Sequence, residues 1–291
     1  MIYAVISLAA LGAIFGIVLG FADKKFKVEV DPRIDAIINV LPGANCGGCG
    51  FPGCSGYADA IVAGTAPLNA CTADEVREKI AEIMGVDAGE AQEPLVAQLM
   101  CNGGKDCAAL LYAYEGIEDC HTAATMFKSP KACSFGCIGL GTCTKACPFG
   151  AIKLGADQLP EVDYNICTGC GICVDNCPQH VLKVVPVSKL VHVRCSNLAK
   201  GKDAKAVCEV ACIKCKLCEK NCPQGAITVV DEGNGSIARI DYEKCTSCGI
   251  CVTKCPTNAL EIILPINANR NVAQEAKTKT PHECSQCGLC K

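Results

Sequence analysis

Between residues 167 and 256 one spacing of cysteines, C-x2-C-x2-C-x3-C-P, occurs three times. The copies are Cys167, Cys170, Cys173 and Cys177; Cys212, Cys215, Cys218 and Cys222; and Cys245, Cys248, Cys251 and Cys255. No other feature limits the fold so narrowly, because bacterial ferredoxins wrap [4Fe-4S] clusters with this spacing. Three close cysteines hold three irons of one cluster, while the fourth, followed by proline, ligates the other cluster of a pair. Zinc ribbons use two C-x2-C pairs and have neither the third cysteine nor the C-P.

Crossed ligation follows. Cluster III takes Cys212, Cys215, Cys218 and Cys255, and cluster IV takes Cys245, Cys248, Cys251 and Cys222. The upstream stretch CIGLGTCTKACPFGAIKL aligns with CIKCKLCEKNCPQGAITVV, so the chain carries an internal duplication. In the first copy, cluster II takes Cys167, Cys170, Cys173 and Cys147. Cluster I is irregular, because Leu140 stands where the second copy has Cys215. Cys133, four residues before Cys137, is the nearest substitute, which makes the expected set Cys133, Cys137, Cys143 and Cys177. Cys120 and Cys133 are 13 residues apart, as are Cys195 and Cys208, which extends the apparent repeat upstream.

A different arrangement, Cys46, Cys49, Cys54 and Cys71, lies nearer the N-terminus and offers four thiolates. Gly47, Gly48, Gly50 and Gly53 let its backbone turn tightly and aim N–H groups at sulfur. Zinc also accepts four thiolates, so at this set the spacing alone leaves a structural zinc open. The tail CSQCGLCK repeats half a ferredoxin motif with Cys284, Cys287 and Cys290, and a sixth cluster is expected there. Cys101, Cys107, Cys120, Cys195 and Cys208 carry no motif; isolated buried cysteines account for them as well as ligands do. The expectation is at least five [4Fe-4S] clusters, with cysteines enough for six or seven.

Of the 291 residues 28 are cysteine, and their grouping in C-x2-C clusters suits metal ligation rather than a secreted disulfide framework. Aromatic residues make up only 4%, with no Trp, so large apolar cores are excluded and the clusters must help hold small domains together. A net charge of -3 excludes a nucleic-acid binder of the usual basic kind. No G-x-G-x-x-G follows a predicted strand, so neither NAD nor flavin is expected to bind. No acid–base constellation marks a catalytic site.

Residues 1–22 carry no charge and, as a helix, would span about 33 Å, enough to cross a bilayer. No basic n-region precedes them, and Lys24, Lys25 and Lys27 follow, which places the rest of the chain on the cytoplasmic side of the cell membrane. Ile34, Ile37, Ile38 and Leu41 predict a short helix, SGYADAIVAG a second one capped by Ser55, and Thr72 with Glu75 a capping box for a third. AGEAQEP (88–94) reads as a linker, and DEGNG (231–235) as the turn of a hairpin. The fold class is α+β: a transmembrane anchor (1–25), a small helical 4Fe-4S domain (30–90), a cysteine-containing connector (91–130), two ferredoxin-like 2[4Fe-4S] domains (131–190 and 191–265) and a cysteine-rich tail (266–291). Lys200, Lys202, Lys205, Lys214, Lys216 and Lys220 form the richest basic stretch, where an acidic donor is expected to dock.

An uncharged N-terminal segment, then LPGANCGGCGFPGCSGYADAI, then Cys71, then ferredoxin modules resembles the B subunit of the Rnf complex, the ion-translocating ferredoxin:NAD oxidoreductase of bacterial membranes. The second ferredoxin pair and the tail resemble its extended form. The resemblance implies electrons from reduced ferredoxin, transfer to other membrane and peripheral subunits, and coupling to Na+ or H+ movement. A relay subunit of a hydrogenase or another dehydrogenase would leave the LPGANCGGCGFPGC segment unexplained. A zinc-stabilised scaffold is the remaining alternative.

Overall fold

The computed structural model describes residues 2–26, 31–73, 76–87, 93–233 and 235–264. Helix α1, Ile2–Phe26, is 25 residues long, about 37 Å at 1.5 Å per residue. Residues 9–21 are exposed along its whole circumference, Ile17 at 72% and Leu19 and Phe21 at 67%, so this stretch packs against no other element among the described residues. The side chains of residues 2, 4, 5, 7, 8, 23, 24 and 26 lie outside those described. Within the described residues no helix is long and apolar enough to cross a membrane.

Three helices follow: α2, Pro32–Val40; α3, Gly53–Val62; and α4, Val76–Met84. Asp31 caps α2 by accepting the Arg33 N–H, and Pro32 sits at the first helical position, where no donor is lost. The apolar spacing closes a core of Ile37, Leu41, Tyr57, Ile61, Val76 and Ile80. Cys49, Cys54 and Cys71 pack on its edge. Ile83 and Met84 are only half-buried. Ser55 does not cap α3. The helix starts two residues earlier, because the Asn45 side chain reaches across the loop to accept the Cys54 N–H at 2.8 Å. A Cβ at Gly53 would meet Asn45 Oδ1 at 2.8 Å, and Gly53 has φ +87°, so glycine is required there. The capping box proposed at Thr72 and Glu75 falls partly outside the described residues.

Two units of like topology make up the rest. The first contains β1 (Leu95–Leu99), α5 (Cys120–Phe127), α6 (Thr142–Ala146), β2 (Ile152–Leu154), β3 (Pro160–Val162), α7 (Ile172–Asp175) and β4 (Leu182–Pro186). The second contains β5 (Val191–Val193), α8 (Gly201–Val207), α9 (Leu217–Lys220), β6 (Ile227–Asp231), β7 (Ser236–Ile240), α10 (Ile250–Thr253) and β8 (Leu260–Ile262). In each, an inner hairpin (β2–β3 or β6–β7) accompanies an outer antiparallel pair (β1–β4 or β5–β8). The segment expected as a connector therefore supplies strand β1, in register Leu95↔Pro186 to Leu99↔Leu182.

The units match in detail. The Tyr164 hydroxyl donates to Gln98 Oε1 in the first; in the second, the Tyr242 hydroxyl and His192 Nδ1 are 2.8 Å apart. Gln98 stands three residues before Cys101 and His192 three before Cys195. Backbone bonds join the units: Asn102 N–H to Arg194 O (2.9 Å), Ala109 N–H to Val207 O (3.0 Å) and Glu209 N–H to Cys107 O (2.9 Å). Each unit has its own small core in which cysteines alternate with Val, Ile, Leu and Ala.

Candidate metal centres

None of the cysteines among the described residues is in a disulfide. Nor do three His, Cys, Asp or Glu among them stand close enough to hold a single metal ion. The thiols instead surround cavities. A tetrahedral zinc at 2.3 Å from each sulfur would draw the sulfurs to about 3.8 Å of one another, whereas a cluster gives each thiolate its own iron and spreads them.

In the second unit one cavity, of about 360 Å³ including its open mouth, is lined by Cys222, Cys245, Cys248 and Cys251. Another, of about 300 Å³, is lined by Cys212, Cys215, Cys218 and Cys255. These are the crossed sets the spacing predicts. Backbone donors face the sulfurs: Ala226 N–H to Cys222 Sγ and Ala259 N–H to Cys255 Sγ, both at 3.3 Å. In the first unit Cys173 has Cys167, Cys170 and Cys147 as charge neighbours, the set expected for cluster II, and the Ala97 N–H reaches Cys167 Sγ at 3.4 Å. Burial is the main force on these thiols. It pushes Cys173 and Cys251 up to about 12 and Cys143 and Cys218 up to about 11, with neighbouring cysteines adding to the rise. Such thiols stay protonated at neutral pH unless a metal displaces the proton, so ligation here releases protons.

The irregular site differs from the sequence expectation. Its cavity, of about 390 Å³, is lined by Cys120, Cys137, Cys143 and Cys177. Cys133 is not among its walls and is replaced there by Cys120. The cause is local. Asp119 caps α5 by accepting the Thr122 N–H at 2.8 Å and also accepts the Thr142 hydroxyl at 2.9 Å, while Thr142 Oγ1 accepts the Cys120 N–H at 2.6 Å. That knot ties the start of α5 to the start of α6 and sets Cys120 beside Cys143. Leu140, the residue in place of a cysteine, packs with Cys120, Ala123 and Ile138. An Asp-Cys-x-Thr helix start was the signal in the sequence; the equal 13-residue spacings concealed it.

Near the N-terminus Cys71 has Cys49, Cys46 and Cys54 as charge neighbours, and all four are half-buried. Burial raises the Cys71 thiol, and Cys49, Cys46 and Cys54 add to it. This site abuts the first ferredoxin unit: Gly48 lies so close to Cys170 that a Cβ would meet its Cα at 3.0 Å, and Cys46 is a charge neighbour of Cys170. The tail cysteines Cys284, Cys287 and Cys290 lie outside the described residues.

Family comparisons find iron–sulfur domains along these stretches. A family described as "Putative Fe-S cluster" matches residues 41–73, and families described as "4Fe-4S dicluster domain" match 136–182, 166–227 and 211–259. Three curated relatives align over most of the chain. The B subunit of the Na(+)-translocating ferredoxin:NAD(+) oxidoreductase complex of Acetobacterium woodii is 43% identical over 82% of this chain and 71% of its own. The B subunit of the ion-translocating oxidoreductase complex of Methanosarcina acetivorans is 46% identical over 84% of this chain and 92% of its own. That of the proton-translocating ferredoxin:NAD(+) oxidoreductase complex of Clostridium ljungdahlii is 41% identical, over 73% and 75%. This chain belongs to the B-subunit family of the Rnf-type ion-translocating oxidoreductase complexes. It is an iron–sulfur, electron-transfer subunit of such a complex.

Proposed function

We propose that this protein accepts electrons from reduced ferredoxin and passes them, one at a time, to partner subunits of a membrane-bound ion-translocating ferredoxin:NAD oxidoreductase. [4Fe-4S] clusters, when bound, supply the one-electron chemistry. The protein's part is to hold them close together in dry, small cavities. One observation carries the reading: thiols of one four-thiol site lie within charge range of thiols of the next. Cys46 neighbours Cys170, Cys143 neighbours Cys173, and Cys218 neighbours Cys251.

Helix α1 supports a membrane anchor, since 25 residues of it are helical and the apolar side chains of residues 9–21 are exposed among the described residues. Lys24, Lys25 and Lys27 support a position of the thiol-bearing domains on the cytoplasmic side of the cell membrane. The sites are those of Cys46, Cys49, Cys54 and Cys71; Cys120, Cys137, Cys143 and Cys177; Cys147, Cys167, Cys170 and Cys173; Cys212, Cys215, Cys218 and Cys255; and Cys222, Cys245, Cys248 and Cys251. Cys284, Cys287 and Cys290 would add one near the C-terminus. Chemical analysis of anaerobically purified full-length protein should find iron and acid-labile sulfide in equal amounts, with visible absorbance that bleaches on adding catalytic reduced ferredoxin. Zinc in place of iron, or absorbance that ferredoxin leaves unchanged while dithionite bleaches it, would overturn the reading.

A further inference from the structure

The five described sites leave a gap between the two ferredoxin units. We propose that Cys101, Cys133, Cys195 and Cys208 hold a further [4Fe-4S] cluster at the junction of those units, each unit supplying two thiolates. All four are buried, and all four line one cavity of about 350 Å³ including its mouth, within the 300 to 390 Å³ span of the three ferredoxin-type cavities.

The arrangement is symmetric in the way the duplication demands. Cys101 follows β1 by two residues and Cys195 follows β5 by two; Cys133 precedes Cys137 by four and Cys208 precedes Cys212 by four. Glycines keep the walls open. A Cβ at Gly103 would stand 3.2 Å from Cys208 Sγ and 3.7 Å from Cys101 Sγ, and one at Gly136 3.5 Å from Cys133 Sγ and 3.6 Å from Cys101 Sγ. Neither pair of sulfurs is therefore more than about 7 Å apart. That brings both pairs within the reach of one cluster whose irons each take one thiolate.

The walls are also built for negative charge. Lys131, only 2% exposed, lines the cavity and donates from Nζ to Gly103 O at 2.9 Å. Arg194 lines it too; its guanidinium pairs with Glu261 at 3.5 Å and donates to Asn102 Oδ1 at 3.3 Å, while its buried Nε has no hydrogen-bond partner among the described residues. Asn197 Nδ2 donates to Cys133 Sγ at 3.4 Å. A buried lysine that meets a carbonyl, beside a guanidinium nitrogen left without an acceptor, is costly among apolar walls. Against four thiolates carrying a cluster they are compensated.

Position then assigns a role, which rests on the relay reading above. The Cys137 N–H donates to Cys101 Sγ at 3.4 Å, and the Cys212 N–H to Cys195 Sγ at 3.3 Å. Each end of the new site is thus one backbone N–H from a cysteine of a four-thiol site in its own unit, Cys137 in the first and Cys212 in the second. An electron crosses from one unit to the other here with no bond made or broken.

The test uses full-length protein purified anaerobically. Cys133→Ala and Cys195→Ala should each lose about four irons and four sulfides per chain, or one iron by conversion to a three-iron cluster, when set against wild type. Cys107→Ala, a half-buried cysteine outside the cavity walls, should lose none. Native mass spectrometry reads the folded population by its charge states, so a misfolded fraction does not enter the count. Folded Cys133→Ala and Cys195→Ala with wild-type iron, or loss of one zinc instead, would overturn the site. Rapid-freeze paramagnetic resonance after mixing with reduced ferredoxin separates site from role. In the variants one unit should fill at the wild-type rate and the other at least tenfold more slowly. Unchanged filling of both, with the iron lost, would overturn the link while the site stands.

Discussion

The C-P cysteines show how much chemistry one residue's position can carry. The crossing of Cys222 and Cys255 was legible because proline after the fourth cysteine turns the chain away from its own motif, and each lines a cavity with the three cysteines of the other motif. Cys120 was not legible, because its place depends on a hydrogen-bonded knot between Asp119 and Thr142, which are far apart in the chain and near only once α5 and α6 pack. Cys120→Ala should therefore strip or convert the cluster of the irregular cavity, and adding Leu140→Cys should restore it, since the second unit has Cys215 at that place. Iron and sulfide per chain read both steps. Full iron in Cys120→Ala would return that cavity's fourth ligand to some other residue.

At the scale of elements the second inner hairpin could be read from the turn residues DEGNG, and β6–β7 forms there, with β2–β3 as its counterpart in the first unit. The outer pairs could not. Strand β1 pairs with β4 across more than eighty residues of sequence, and nothing local in LVAQL announces its partner. The start of α3 was misjudged for a related reason: a side chain nine residues away, Asn45, supplies the cap, an interaction worth about 1 kcal/mol. The equivalence of Gln98 and His192 appears only in the folded pair and leads to a pH prediction. Burial first, and then the nearby Arg194 cation, lower the His192 pKa to about 4. A histidine held neutral in the fold and free near 6.5 when unfolded binds more protons in the unfolded state between those values. Its stabilising contribution is whole above pH 6.5 and is lost as pH falls toward 4. Between pH 7 and 5 the loss is about 2 kcal/mol. His192→Gln, copying the first unit's Gln98 opposite a tyrosine, should keep the fold and remove that part of the pH dependence. Anaerobic denaturant melts of both proteins at pH 7 and 5 compare the slopes; equal slopes would show that His192 titrates normally.

Across the described residues, neighbouring thiols set the sites in file, Cys46 beside Cys170, Cys143 beside Cys173 and Cys218 beside Cys251, and residues 9–21 of α1 are exposed. None of the cysteines precedes Cys46, so removing residues 1–25 should release a soluble protein with unchanged iron. Sedimentation of that protein with washed membranes, in the absence of partner subunits, would place the membrane contact elsewhere. The donor's landing place can be argued from the same file. Cys215 is the one exposed cysteine among those described, and Lys214 and Lys216 flank it. Lys200, Lys202, Lys205, Lys216 and Lys220 are exposed in the same stretch, where α8 leads toward that site. Two of the cations are braced: Lys205 Nζ donates to Glu209 O and Lys214 Nζ to Ala199 O, each at 2.5 Å. An acidic ferredoxin would be steered to this face, with the attraction screened over about 10 Å at 0.1 M salt. Replacing Lys200, Lys202 and Lys205 with Glu should slow reduction by ferredoxin at least tenfold at low salt and flatten its dependence on ionic strength, because complementary charge acts mainly on the encounter rate. Dithionite should still reduce every cluster in the variant, since no thiol is touched. A ferredoxin rate unchanged at low salt would shift docking to the half-buried site of Cys46, Cys49, Cys54 and Cys71, which also lies at one end of the file.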